Sequence, residues 1–442
     1  MVVSDGGDHR GSDTEALDGA EHREAGCLAI DLLRIGRSID GRKIDGIAPY
    51  SSITFVRMTK RKSALAPQQI HAFVEKMIGD DLHAKRVLSI GNAAVGVVHA
   101  ATLGVHAIGR AMAQAEGLDP KHAVKQVDRL LSNAGIDVWF IFGLWVPYVL
   151  GARQEIVVAL DWTEFDHDDH ATLALHLITR HGRATPLMWL TVRKSELAGE
   201  RNATEDRLLR RFRQIVVREV RVTILADRGF GDTGLYALLW EMGLDYVIRF
   251  RGSIYVADSD GDRRPAKEWV PPSGRACRIL KAQVTTGRAP VPAVVCVQAK
   301  GMKEAWCLAT SRTDLRATEV VKYYGKRFTI EETFRDTKDI HFGMGLSATH
   351  IGDSARRDRL LLLSAIATAL ITLLGAAGEA VGLDRRLKAN TSKERTHSLF
   401  FQGTYYYGAL PNMKADQFEP LVTKFGVLLR EQNVFTEIFG LI

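Results

Sequence analysis

Between residues 154 and 250, short β-branched runs alternate with two helical patterns, and their order constrains the fold more than any other feature of the chain. Residues 156–161, Ile-Val-Val-Ala-Leu-Asp, form an apolar run closed by a carboxylate. Two more apolar runs follow, at 173–179 and 187–192, linked by the turn-like His181-Gly182-Arg183. Links this short suit antiparallel neighbours. A basic amphipathic helix is predicted over 200–217, with Arg207, Arg210, Arg211 and Arg213. The run 222–227, Val-Thr-Ile-Leu-Ala-Asp, is again a strand ending in Asp, followed by a helix over 234–242 stopped at Gly243, then a strand at 246–250. Three strands, helix, strand, helix, strand make an α/β layered unit. If the fourth strand returns beside the first, Asp161 and Asp227 become neighbours.

The flanks differ. Residues 67–133 have helical spacing; Ile70, Phe73, Val74, Met77 and Ile78 mark one face, and Asp119-Pro120 opens a helix with a cap and a first-position proline. A longer helical region is expected over 82–115. Lys60, Arg61, Lys62, Lys121, Lys125 and Arg129 could dock on phosphates or form a solvated face. Five prolines break residues 251–312 into short strand-like runs, a β-rich insertion. Helix resumes over 315–339, and 346–442 reads as mostly helical.

Residues 1–57 hold ten acidic and seven basic residues and eight of the 39 glycines, with no sustained period. They read as a disordered extension, or as a start called too early, with Met58 the working start. The chain is +7 overall, so residues 58–442 carry +10, which permits a polyanionic partner. Four scattered cysteines argue against a disulfide scaffold and for a reducing, cytoplasmic compartment. The uncharged stretch 360–378 is nearly long enough to span a bilayer but is read as a buried helix, with no membrane partner.

The chemistry concentrates on the predicted helix over 315–339. Tyr324, Arg327, Glu331 and Lys338 have offsets of 3, 7 and 14 from the first. At 100° per residue they fall at about 0°, 300°, 340° and 320°, one narrow stripe. The same stripe also reads as a solvated face, with Arg327 and Glu331 an ordinary i, i+4 pair. Two strand-end carboxylates plus Glu331 would make an all-oxygen pocket, which suits a hard divalent ion. Three clustered carboxylates without a cation would repel one another and shift their pKa upward.

The spacing Tyr324-x2-Arg327-x3-Glu331-x6-Lys338 resembles the Y-x2-R-x3-E-x6-K signature of the insertion-sequence-four family of bacterial DDE transposases. Leu160-Asp161-Trp-Thr and Leu225-Ala-Asp227-Arg-Gly-Phe resemble the two Asp motifs of that family. Asp227 follows Asp161 by 66 residues and Glu331 follows Asp227 by 104, a long gap that agrees with the β-strand insertion such enzymes carry before the catalytic Glu. The resemblance covers roughly residues 60–440.

It implies an α/β fold: a ribonuclease-H-like mixed sheet core with a β-strand insertion, flanked by helical N- and C-terminal domains. The implied divisions are an extension at 1–57, a helical DNA-binding domain at 58–150, a catalytic core at 151–250 and 313–345, the insertion at 251–312, and a helical region at 346–442. Asp161, Asp227 and Glu331 would be catalytic and would bind two Mg²⁺ ions, replaceable by Mn²⁺. Cleavage at the transposon end would release a 3′-hydroxyl to attack target DNA. Tyr324, Arg327 and Lys338 would hold the phosphates of the terminus, and Trp306, with Trp269 second, would stack a flipped base. Trp306 also reads as the core of a strand. The implied partners are double-stranded DNA with terminal inverted repeats, target DNA, and a second copy of the chain. A metal-dependent nuclease without strand transfer, and an inactive DNA-binding relic, remain open alternatives.

Overall fold

The computed structural model describes residues 65–341 and 343–431. The extension at 1–57, the Met58 start and the basic Lys60, Arg61 and Lys62 lie outside these residues.

Helix α1 (Pro67–Ile78) starts at its proline and buries the apolar set read from the sequence. The long helical region over 82–115 is two helices, α2 (Ala84–Ala100) and α3 (Val105–Glu116), meeting at 100°. Ala101 is left-handed (φ 50°) and Gly104 caps the second helix, so the chain turns there. In α4 (Pro120–Ser132), Asp119 accepts a hydrogen bond from the His122 amide at 2.9 Å, the cap expected from its sequence. Its buried side is Ala123, Val127, Leu130 and Leu131, which leaves Lys121, Lys125 and Arg129 exposed. The apolar α5 (Val138–Leu150) is buried, and its Trp145 indole donates to the Pro186 carbonyl at 2.9 Å.

Next come β1 (Glu155–Phe165), β2 (His170–Leu177), β3 (Thr185–Arg193), α6 (Arg201–Ile215), β4 (Arg221–Ala226), α7 (Thr233–Glu241) and β5 (Asp245–Phe250). Strands β1, β2 and β3 form an antiparallel meander; β4 returns parallel to β1, and β5 lies parallel to β4. The insertion supplies β6 (Tyr255–Ala257), β7 (Arg263–Pro265), β8 (Cys277–Val284), β9 (Ala289–Val297) and β10 (Trp306–Thr310). These extend the same sheet, because β10 pairs antiparallel with β5. The resulting strand order is β3-β2-β1-β4-β5-β10-β9-β8-β6-β7.

Side chains alternate across a strand, so β1 feeds two cores. Ile156, Val158 and Leu160 join a large core with α5, α6, α7 and the helices of the C-terminal region. Val157 and Ala159 face the other way, with Leu225, Val247, Val295 and Leu308, toward Val320, Tyr324 and Ile330. The C-terminal helices are α10 (Ser354–Ala380), α11 (Leu399–Ala409) and α12 (Ala415–Arg430), numbered after α8 (Ala317–Gly325) and α9 (Phe328–Lys338). Helices α10 and α11 cross almost backbone to backbone. A Cβ added at Gly375 would stand 1.9 Å from the Leu399 carbonyl oxygen, and one at Gly403 would stand 1.8 Å from that of Ile371.

Among the described residues, α10 alone has the length and hydropathy of a membrane span, yet 89% of its most apolar stretch is buried inside the protein. Its apolar surface is covered by the sheet and by neighbouring helices, as in a core helix.

Candidate active site

Asp161 was expected at the end of its strand, but β1 runs on to Phe165. What ends at Leu160 is the partnership with β4: the last register pair is Leu160 with Ala226. Asp161 and Asp227 each follow one member of that pair. The loss of the parallel neighbour, rather than the end of the strand, opens space beside Asp161. Asp227 caps a short 3-10 turn, its Oδ1 accepting from the Gly229 amide at 2.8 Å. A Cβ at Gly229 would stand 3.0 Å from that oxygen, so glycine suits the position.

The signature stretch was expected as one helix and is two. Around residues 323–330 the bonds tighten to i→i−3: Lys326 to Tyr323, Arg327 to Tyr324, Thr329 to Lys326 and Ile330 to Arg327. This tight turn between α8 and α9 brings Arg327 inward, where it is 6% exposed. Its guanidinium donates to Asp161 Oδ2 at 3.2 Å and to Glu331 Oε1 at 2.7 Å. The i, i+4 pair is therefore present, but it faces the sheet and captures Asp161 as well, so it is not a solvated face.

Burial raises the Asp161 carboxyl to a pKa of about 7; the charges of Asp227 and Glu331 push the same way, and Arg327 opposes them. The charges of the other two carboxylates therefore reach Asp161. Among the described residues, no group of three or more His, Cys, Asp or Glu side chains is gathered tightly enough to grip an ion. Here the cation bridging two of the carboxylates is the Arg327 guanidinium. The donor chemistry fits a hard divalent ion, since all three groups offer oxygen; a shared ion would take over the charge that Arg327 supplies.

The other signature residues have different surroundings. Tyr324 is fully buried against the sheet, its ring 4.9 Å from that of Trp306 in an edge-on contact. Its hydroxyl lies inside the protein near Arg327, without a hydrogen bond of good geometry. The phenol expected to reach phosphate is thus covered in this conformation. Lys338 Nζ donates to Thr163 Oγ1 at 3.1 Å and to the Glu164 carbonyl at 2.8 Å, which ties the end of α9 to β1. Trp306 opens β10, half-buried, and leans on Phe328 as well as Tyr324. Trp269 is occupied elsewhere: its indole donates to Val256 O at 3.3 Å and Arg264 stacks on its ring at 4.1 Å.

Arg249 belongs to this group and was missed. It lies buried on β5, opposite Leu308, on the face that packs against Tyr324. Burial raises the Tyr324 pKa, while the Arg327 and Arg249 charges oppose that rise. The signal was available: Arg249 is the one charge inside the apolar run 246–250.

The three carboxylates of the polar run 166–170 have partners within the protein. Asp166 is paired with Lys194, Asp169 accepts from Ser195, and Asp168 is paired with the fully buried Arg357. Arg357 and Arg359 are buried and bonded within the protein, Arg359 to the Ile136 and Leu131 carbonyls. Arg356 is engaged by Asp128.

No curated protein matches the chain. Residues 152–370 match the family model described as Transposase DDE domain. That stretch begins just before β1, ends inside α10 and contains Asp161, Asp227 and Glu331. The mixed α/β sheet with its helices agrees with a ribonuclease-H-like fold, and residues 152–370 are similar to the DDE domain of transposases.

Proposed function

We propose that this protein cuts double-stranded DNA at the ends of its own element and joins the freed ends to target DNA, as a member of the insertion-sequence-four family. Asp161, Asp227 and Glu331 are its catalytic carboxylates and hold Mg²⁺. The observation that carries this reading is the end of the β1–β4 register at Leu160 and Ala226, which leaves Asp161 and Asp227 side by side while Arg327 links Asp161 to Glu331. When bound, such ions activate an attacking oxygen and stabilise a leaving one in phosphoryl transfer.

The remaining roles belong to the chain itself. The planar fork of Arg327, which here grips two carboxylates, has the geometry to grip a terminal phosphate. Arg249 adds buried positive charge beside it. Lys338 supplies a further point charge, and Tyr324 a phenolic donor once DNA opens its cover. Trp306 offers an aromatic platform for an unstacked base. The exposed Lys121, Lys125 and Arg129 of α4 dock on the phosphates of terminal inverted repeats, within a DNA-binding region at 58–150. Two copies of the chain act together on the two ends.

Joining of a pre-cleaved element end to a plasmid tests this reading. Product that depends on Mg²⁺, and is lost in Asp161→Asn while DNA binding survives, is the expected result. Cleavage without joining would instead favour a nuclease. Binding with neither activity would mark an inactive relic.

A further inference from the structure

Three of the four cysteines, scattered in sequence at 277, 296 and 307, meet in the insertion. Cys296 on β9 stands opposite Cys277 on β8 and, on its other side, opposite Cys307 on β10. Directly opposed residues of antiparallel strands share a face, and their Cα atoms lie about 4.5–5.5 Å apart. That is within the separation a disulfide needs, about 4.4–6.8 Å. All three are free thiols. Cys296 and Cys307 are fully buried, whereas Cys277, at the start of its strand, is half-buried. Nothing in the proposed DNA chemistry uses this row.

We propose that Cys277 and Cys296 form an oxidant-reactive pair that closes to a cross-strand disulfide under hydroperoxide. The Cys277 thiolate attacks one peroxide oxygen, the O–O bond breaks, and Cys277 becomes a sulfenic acid as hydroxide leaves and takes up a proton to become water. The Cys296 sulfur then attacks the Cys277 sulfur, the S–O bond breaks, and a second water leaves carrying the Cys296 proton. Two thiols lose two electrons and two protons, and one hydroperoxide is reduced.

Two features set this order. Exposure lets oxidant reach Cys277 first. A hydrogen bond from the neighbouring Cys296 thiol holds the Cys277 thiol below its ordinary value, at about 7, against the effect of burial. Cys277 also donates its thiol to the Trp269 carbonyl at 3.0 Å, a bond that fixes its side chain in the row and is given up when the thiol ionises. Cys296 is held in the opposite direction, its proton retained by hydrogen bonding to Cys277 and Cys307 and by burial. It is therefore the second thiol to react, adjacent to Cys277 in the strand register, and it gives up its proton only as the sulfenic oxygen leaves as water. The pair lies next to Cys307, which follows Trp306 directly in the chain.

The full chain carrying Cys27→Ser tests the pair without interference from the fourth cysteine. After brief treatment with hydrogen peroxide and blocking of free thiols, non-reducing peptide mapping should recover the peptides of Cys277 and Cys296 linked, with Cys307 alkylated. Thioredoxin or dithiothreitol should reverse the link. A Cys277→Ser variant should leave Cys296 reduced at the same dose, and Cys296→Ala should trap Cys277 as a sulfenic acid detectable with dimedone. Linkage of Cys296 to Cys307 in the Cys277→Ser variant, or thiols still free at a dose that oxidises a surface cysteine standard, would overturn the proposal. Circular dichroism and a melting curve identify any variant that fails to fold. In that case dimedone labelling of the Cys27→Ser chain itself decides, with Cys277 the expected and Cys307 the contradicting site.

Discussion

The two faces of the central strands are built to different rules. On one face, β1, β4 and β5 bury Ile156, Val158, Leu160, Ile224 and Ile248 against α5, α6, α7 and α10, in a core that continues through the N- and C-terminal helices. On the other, a small group of apolar residues meets α8 and α9, and Arg327, Asp161, Tyr324 and Arg249 lie among them. Burial of charge is costly unless it is paired, so the second face gives up stability for chemistry. The first face holds the sheet in place, and the second carries the groups to which we assign the DNA chemistry.

That division can be broken at either side. The largest expected effect is on the chemical face: Asp161→Asn and Glu331→Gln should each lower joining by about 10³-fold or more. Their melting temperatures should stay within about 4 °C of the parent, because Arg327 keeps one of its two carboxylate partners and the remaining carboxylates lose a like-charge neighbour. A fall in stability with joining intact would erase the distinction. On the opposite face, Phe212→Ala removes a fully buried ring from α6 and should cost about 3–5 kcal/mol in urea unfolding. The protein that remains folded should join DNA at the parent rate.

A smaller effect is expected where α10 meets α11. Gly403→Ala forces a methyl against the Ile371 carbonyl oxygen, and should cost about 1–3 kcal/mol by prising the helices apart. Chemical denaturation of the variant measures this directly.

The last effect depends on pH and concerns one buried carboxylate on the structural side. Asp358 of α10 accepts from the Thr191 amide at 3.1 Å in the structural core, and burial raises its pKa to about 8. The folded chain therefore keeps a proton that the unfolded chain releases near the ordinary carboxylate value of 3.8. Stability is highest below that value and is lost as pH rises toward about 8, by up to about 1.4 kcal/mol per unit. Asp358→Asn should flatten this slope in melting curves taken across that window, without touching joining at neutral pH. An unchanged slope would mean that Asp358 is ionised in the folded protein.

Much of this was legible in the chain. The order of β-branched runs and helical stretches between 154 and 250 yields the meander, the return of β4 beside β1, and hence the adjacency of Asp161 and Asp227. What periodicity could not show was where pairing stops. Apolar alternation breaks at Asp161, yet β1 continues because β2 still pairs with it as far as Phe165. Nor could a fixed 100° step foresee the tight i→i−3 turn around Lys326, which moved Arg327 from an outward stripe to the space between two carboxylates. Arg249 was overlooked because one charge in an apolar strand carries no spacing. The three thiols escaped notice because cross-strand register, unlike sequence distance, depends on every turn of the insertion.

The most direct test of the site is Mn²⁺ binding to the DNA-free full chain, followed by electron paramagnetic resonance, in the parent protein and in Asp161→Asn, Asp227→Asn and Glu331→Gln. If the three carboxylates form one site, each variant should weaken binding by at least about tenfold, and any two together should add little further loss. Binding undiminished in all three variants would contradict the account.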